Sequence, residues 1–526
     1  MKKYSFLGVA LLSVMALNAQ NQPPVILGNW QIEAISQNSE YAAGKSFSAK
    51  IYNLKTGEVT DAGALEAGLG NHLSNYGSMV GNAEGGTALV YMNGRSFAPQ
   101  SLIQYWFCNI NAITPDETRI CGTINNPEKG GLEYVPFYCD IDAEGNIGEA
   151  QILPYPTEDF TGSLPQFANA IWMSSDGKTI LGEVVDRYGY YQYPIVYIQD
   201  NDGVWDYSLP TADLYNPQHV EFPTQPWADE PYFPEYKDFM TALAREAYEK
   251  AMEDAFTTGV YPDALDYLTP AQIEAYNEAV EVYNNWYYAN LENMRNYQSL
   301  YFDVLAHSTE FPLNEIKLSP DGSKFVTTAL TTIFGGPLNE PIGSETNLYC
   351  YDLVKEEGVM VSCPSEWIQP TQILNDGTVI AAYPINSANS GLPTDSFIIT
   401  PGSEEIIPII NYWEENNPWY AEWVQGNIES GAGYVITNSD MTIFAGSLDE
   451  FNFNPNSVGP FNGLAAAAYI FGVGEAGVES IVADASDYKV YNLQGVNVLN
   501  VKNKSELSQL PAGIYIINGV KTVVTK

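Results

Sequence analysis

Basic residues are scarce in this chain of 526 residues: 22 Lys and Arg stand against 64 Asp and Glu, a formal net charge of −42. A surface of that sign repels phosphate backbones and anionic lipid, which demand clustered cations, so nucleic acid and acidic membranes are disfavoured as partners. Histidine is scarcer still. His72, His219 and His307 are the only three, and none falls in a paired spacing such as HExxH, so no zinc centre or Ser-His-Asp set can be nominated. Five arginines, with Arg245 and Arg295 in one divergent segment, are too few for the cationic cluster that grips an acidic sugar. The composition nominates no catalytic residue.

Cysteine is also sparse. Cys108, Cys121, Cys139, Cys350 and Cys363 cannot staple a chain of this size, and none shows a Cys-x-x-Cys metal spacing. Cys350 and Cys363 could bridge neighbouring strands if their Cα atoms lie within about 7 Å, against the alternative of two buried thiols. Long apolar runs are missing after residue 19, and none reaches the roughly 18 residues of a membrane helix. The N-terminus differs: Lys2 and Lys3, an apolar stretch Phe6 to Leu17 and a small residue at Ala19 compose a signal peptide, Met1 to Ala19. The expectation is export to the cell surface or medium, with the periplasm as alternative.

What the chain does have is a repeat. A polar turn often containing Asp-Gly precedes a short apolar strand ending in Gly or Ala, then a strand bearing an aromatic. The turns of the seven copies begin at Gln37, Ser74, Thr114, Ser174, Ser319, Asn375 and Thr437; the cleanest is Ser174-Ser-Asp-Gly-Lys-Thr-Ile-Leu-Gly182 with Pro194-Ile-Val-Tyr-Ile198. Asp-Gly supplies positive φ for a tight turn, and β-branched and aromatic flanks favour half-buried strands. One such hairpin cannot bury both faces. About four strands per copy, stacked radially, would share a core, and the closing Gly or Ala would suit a crowded axis.

These copies resemble the extracellular propeller repeats of secreted bacterial proteins that carry a serine, aspartate-glycine and terminal glycine pattern, over roughly residues 30 to 475. They differ from the sialidase-type Asp-box, because Asp176 and Gly177 are adjacent and no Trp follows. The fold expected is mainly β: an about seven-bladed β-propeller over residues 20–480, with a helical hairpin inserted at about 211–310 and a small β-sandwich-like domain at 486–526. A β-sandwich series or solenoid is the alternative.

In the insertion, Tyr236, Phe239, Met240, Leu243, Ala247 and Ala251 predict one amphipathic helix ending near Gly259. Thr269, Pro270 and Gln272 form a capping box and first turn for a second helix about 50 Å long, whose stripe runs from Tyr276 through Tyr283 and Tyr297 to Tyr301. Such a stripe reads as packing against a partner helix, with Trp286 and Tyr288 off it and more open to a ligand.

At the C-terminus, Tyr488-Lys-Val-Tyr491, Gly495, and Leu510-Pro-Ala-Gly-Ile-Tyr515 alternate as strands with Gly-centred turns. This segment resembles the C-terminal sorting domain of type IX secretion cargo in Bacteroidetes, on Tyr491, Gly495, Pro511, Gly513 and Tyr515. The resemblance implies passage through the outer membrane by the secretion machinery, then removal of the domain and release or attachment.

Aromatics outside the strand pattern are the candidate binding residues: Tyr188, Tyr190 and Tyr191, and Trp413, Trp419, Tyr420 and Trp423 fall in two irregular segments that read as loops recognising a glycan or protein on one rim. Packing of those loops onto the body is the plainer alternative. Asp140, Asp142 and Glu144 resemble the first half of a calcium loop, but Gln151 stands where the twelfth ligand belongs, so a hairpin turn fits better and calcium is unsupported. No other cofactor is indicated. The function expected is a secreted, non-catalytic binding protein; the alternatives are a glycan-active hydrolase or lyase using clustered carboxylates, and a structural or adhesive surface component.

Overall fold

The computed structural model describes residues 23–45, 48–83, 86–127, 132–158, 161–186, 189, 192–223, 231–258, 261–335, 340–363, 368–383, 394–403, 405–449, 452, 460, 464, 466–473, 488–491, 497–501, 513–517 and 520–524. The segment Met1 to Ala19, Tyr188, Tyr190, Tyr191, Gly495 and Pro511 lie outside the described residues.

The architecture is mainly β and propeller-like. Each sequence copy supplies the second and third strands of an antiparallel meander, as in Gln31–Ile35, Tyr41–Lys45, Ala49–Asn53 and Val59–Gly63. Copies three and four form one nine-stranded sheet because a single parallel pair, Tyr134 with Phe167, bridges their meanders. The last meander, Tyr434–Thr437, Phe444–Leu448 and Ala467–Phe471, takes its fourth strand from the start of the chain, Val25–Gly28.

The serine of the repeat brackets the turn. Ser174 Oγ accepts a hydrogen bond from Thr179 N at 2.9 Å and donates to Asp176 at 2.7 Å, while Gly177 takes φ 69°. Ser319 repeats this with Lys324 N and Asp321, and Thr114 and Asn438 play the same part with Arg119 N and Ile443 N. These local bonds replace water at the polar ends of otherwise buried strands.

The glycine closing the strand has a different reason from the one expected. In copies one to four it belongs to the second strand of the meander, and what crowds it is the neighbouring first strand rather than an axis; in copy seven Gly446 lies against the Tyr469 ring of the third strand. A Cβ at Gly44, Gly122 or Gly182 would stand 2.2, 1.9 or 2.0 Å from the carbonyl oxygens of Gln31, Asn109 and Asn169. The pairing register slips by one residue at Glu33 and at Asn111, so the first strand bulges onto the glycine.

Hydrogen bonds link successive turns into a closed circle. Asn38 bonds Asn75, Asn75 N donates to Pro115 O, Arg119 to Gly177 O, Ser175 N to Pro320 O, Asp321 N to Asn375, and Gln372 to Thr437 in both directions. Asn438 returns to Ser39 at 2.8 Å, joining the seventh turn to the first. The main apolar core lies between the meanders of copies two to five and includes Ile110, Phe137, Ile195, Tyr197 and Phe325.

The helical insertion is partly as expected. Thr269 caps the helix Pro270–Leu305 with Gln272 completing the capping box. The first helix is instead broken into Tyr236–Phe239 and Ala242–Thr258, with Met240 extended between them, and Leu243 is 78% exposed. The tyrosine stripe packs: Tyr276 stacks on Tyr236 with ring centres 4.3 Å apart, Tyr283 meets Phe233 at 4.9 Å, and Tyr301 is buried against the body. Tyr488–Tyr491, Asn497–Val501, Gly513–Ile517 and Val520–Val524 form one four-stranded antiparallel sheet.

Candidate binding site

Because the turns gather at one end of the circle, they surround a single concave mouth. Its empty volume is about 870 Å³ counting the opening, and every copy contributes to its wall. Gln37, Leu73, Pro115, Ser175, Pro320, Ile373 and Ser439 are one residue from each. The wall mixes aliphatic faces and Trp172 with hydroxyls and amides, the composition of sites that hold polar ligands with apolar faces.

Many of the polar groups hold the circle together. Asn71 Nδ2 donates to Ile113 O and its Oδ1 accepts from Met173 N, both at 3.0 Å, tying three copies; Gln372 is consumed by Thr437. Glu33 differs. It lines the mouth as an exposed residue, carries the wall's charge, and its side chain has no hydrogen bond or ion pair among the described residues.

A second group of ionisable residues lies between copies four and five. Glu183, 2% exposed, accepts from Asn169 Nδ2 at 3.3 Å and from Asn314 N at 2.7 Å. Asn314 has φ 65°, so this bond fixes a left-handed residue where the chain re-enters the body after the insertion. Burial pushes the Glu183 carboxyl up to about 7, and burial pulls the Lys317 ammonium down to about 8. Burial also raises Glu315, which accepts from the Gln369 side chain. Lys317 sits over the Trp172 ring at 5.1 Å. The set is chemically poised; Glu183 is engaged by Asn169 and Asn314 N, whereas one Glu315 oxygen is buried without a hydrogen-bond partner among the described residues.

Among the described residues, the aromatic positions read from the sequence do not converge on the mouth. Trp413 and Tyr420 are core residues, 0% and 3% exposed, in the helices Ile409–Asn416 and Pro418–Asn427 rather than loops. Trp413 meets Phe444 at 5.4 Å and Tyr420 stacks on Phe471 at 4.2 Å. Trp419 and Trp423 are half-buried on the same cluster, Trp423 lying 5.5 Å from Phe471. Trp286 is half-buried beside Tyr283, since a residue three positions on shares the packed face; Tyr288 is 71% exposed. None of these lines the mouth. Tyr491, Gly513 and Tyr515 lie in the C-terminal sheet, with Tyr491 opposite Ile516.

Asp140, Asp142 and Glu144 lie in a turn that Asp142 closes from within. Asp142 accepts from the backbone N–H of Glu144 and Asn146 and from the Asn146 side chain, while Asp140 pairs with Arg119 at 2.7 Å. Among the described residues no group of three His, Cys, Asp or Glu side chains could hold a metal ion. Cys350 and Cys363 are unbridged: Cys350 faces Val359, while Cys363 N reaches Thr346 O, four positions along the same strand. Their thiols are pushed up to about 12 by burial.

Glu33, Trp172, Glu183, Glu315 and Lys317 escaped the sequence reading. Aligning copies on the bracketing residue would have exposed Glu33, which stands three before Ser36 as Asn71, Asn111 and Thr371 stand three before Ser74, Thr114 and Leu374.

No family model and no curated protein matches the chain. Among solved structures it is similar to TolB from Acinetobacter baumannii, at 10% identity and TM-score 0.27 over 73% of this chain and 54% of that one. It is also similar to an oligogalacturonate lyase in complex with manganese, at 9% identity and TM-score 0.40 over 86% and 91%. A third is the β-propeller domain of the Trilobed protease from Pyrococcus furiosus, at 8% identity and TM-score 0.29 over 80% and 79%. The chain spans about half the length of TolB. No ligand or activity follows from likenesses of this degree.

Proposed function

We propose that this protein is an exported binding protein acting at or beyond the cell surface, a seven-bladed propeller that receives a glycan or protein segment at the mouth ringed by its repeat turns. The observation that carries the reading is that all seven copies contribute wall to one cavity. Concave walls with aliphatic faces and a few convergent polar groups are where polar ligands bind, whereas Trp413 and Tyr420 are core residues. The signal peptide-like start and the C-terminal likeness on Tyr491, Gly495, Pro511, Gly513 and Tyr515 support export through a type IX-like route.

One observation favours a glycan-active enzyme instead. Glu183 and Lys317 have shifted ionisation and lie near the cavity wall through Trp172. The burial of Glu183 and its bond to Asn314 N favour the binding reading.

The test is a glycan-array and peptide-library screen on the folded protein, followed by Ser175→Trp and Gln37→Trp, which fill the mouth. The reading expects Ser175→Trp to weaken any captured ligand at least about tenfold, roughly 1.4 kcal/mol, with thermal stability retained. Unchanged binding by both variants would overturn it. Turnover of the captured glycan would establish the enzyme reading.

A further inference from the structure

We infer that the ligand received at the mouth carries a protonated amine and that Glu33 is the group that meets it. This rests on the binding role proposed for the mouth.

Glu33 is the extra residue of the bulge in the first strand of copy one. Its polar counterparts in copies two, three and six are spent on their neighbours: Asn71 on Ile113 O and Met173 N, Asn111 on Ala170 O at 2.7 Å, and Thr371 on Val435 O. The same position in copy one holds an acid that bonds nothing among the described residues. Copies four, five and seven carry Ile171, Ile316 and Val435 there, so Glu33 is the one polar side chain at this position that no other copy engages among the described residues, and it is available to a ligand.

Glu33 faces inward. Its charge is felt by His72 of copy two and by Tyr434 of copy seven, the copies on either side of its own. Neither compensates it. His72 is 3% exposed and held below its ordinary value chiefly by burial; Tyr434 is pushed up chiefly by burial. Glu33 is exposed to the solvent of the mouth, whose wall also includes the aliphatic Ile35, Leu73 and Ile436. A concave site with one uncompensated negative charge, on a chain of net charge −42, draws cations and repels uronates and phosphates. The shared chemistry is a primary ammonium presented on a polymer, from an amino sugar or from a lysine-bearing peptide.

The experiment is calorimetric titration of the folded chain with a glucosamine tetramer and a tetralysine peptide, each beside its N-acetylated counterpart. Wild type, Glu33→Gln and Ser175→Trp are compared. The inference expects one amine probe to bind, its acetylated form and the Glu33→Gln protein to bind at least about tenfold more weakly, and Ser175→Trp to bind neither. Which amine probe binds identifies the source. Acetylated and free probes binding alike, or Glu33→Gln behaving as wild type, with Ser175→Trp still inactive, would overturn the amine and leave the mouth. Binding that survives Ser175→Trp would overturn the mouth itself. Failure of both amine probes to bind folded wild type would also overturn the inference.

Discussion

Ser447 Oγ accepts a hydrogen bond from Ile32 N at 2.7 Å and donates to Ile32 O at 3.3 Å, joining positions separated by 415 residues. With Val25–Gly28 completing the last meander, this buried hydroxyl latches the end of the body onto its beginning. Ser447→Ala strips the partner from a buried backbone N–H, at a cost of about 1–3 kcal/mol. Chemical denaturation should show the lower midpoint. An unchanged midpoint would mean the latch contributes nothing.

Glycine in the second strands is a packing requirement and not only a turn device. Gly122→Ala places a methyl against Asn109 O and should destabilise the protein by several kcal/mol or prevent folding. Gly426, in the helix Pro418–Asn427 with open space around its Cβ position, is the control: Gly426→Ala should be neutral or stabilise by about 0.5–1 kcal/mol. Thermal melts of the two variants test the contrast.

Glu183 and Lys317 give stability a dependence on pH whose sign follows from their shifts. Glu183 is raised from 4.5 to about 7, so the folded state holds that proton more tightly; its contribution is full below about 4.5 and is lost as pH rises toward 7. Lys317 is lowered from 10.5 to about 8, so the unfolded state binds the extra proton between those values and stability recovers as pH climbs from 8 to 10.5. Denaturation midpoints across this range, wild type against Glu183→Gln, should show the acid-side slope diminished in the variant. Parallel curves would remove Glu183 from the account.

Five thiols should titrate with Ellman's reagent in denaturant without reductant, because none is bridged. In the native protein Cys108, Cys121 and Cys139 should stay silent, being buried with thiols that burial pushes up. Three free thiols after denaturation would reveal a bridge.

The repeat turns were legible because they are local. Ser174, Asp176 and Gly177 close their own hydrogen bonds within six residues, so the chain spells the turn without reference to anything distant. Thr269 and Gln272 are legible for the same reason. The tryptophan-rich stretch is not legible in the same way, because period alone does not separate a loop from two short helices split at Asn417, and its aromatics are held by Phe444 and Phe471 from other strands. Glu33, Glu183 and Lys317 gain their character from neighbours in different copies, a relation that sequence spacing does not carry.

The closed circle on which the mouth depends can be tested through Ser39 and Asn438, whose side chains touch at 2.8 Å across 399 positions. Mild oxidation of the Ser39→Cys, Asn438→Cys protein, followed by protease digestion and mass spectrometry, should yield a reducible intramolecular peptide pair joining the first and seventh turns. A protein that oxidises only between molecules, or not at all while folded, would contradict the closed circle.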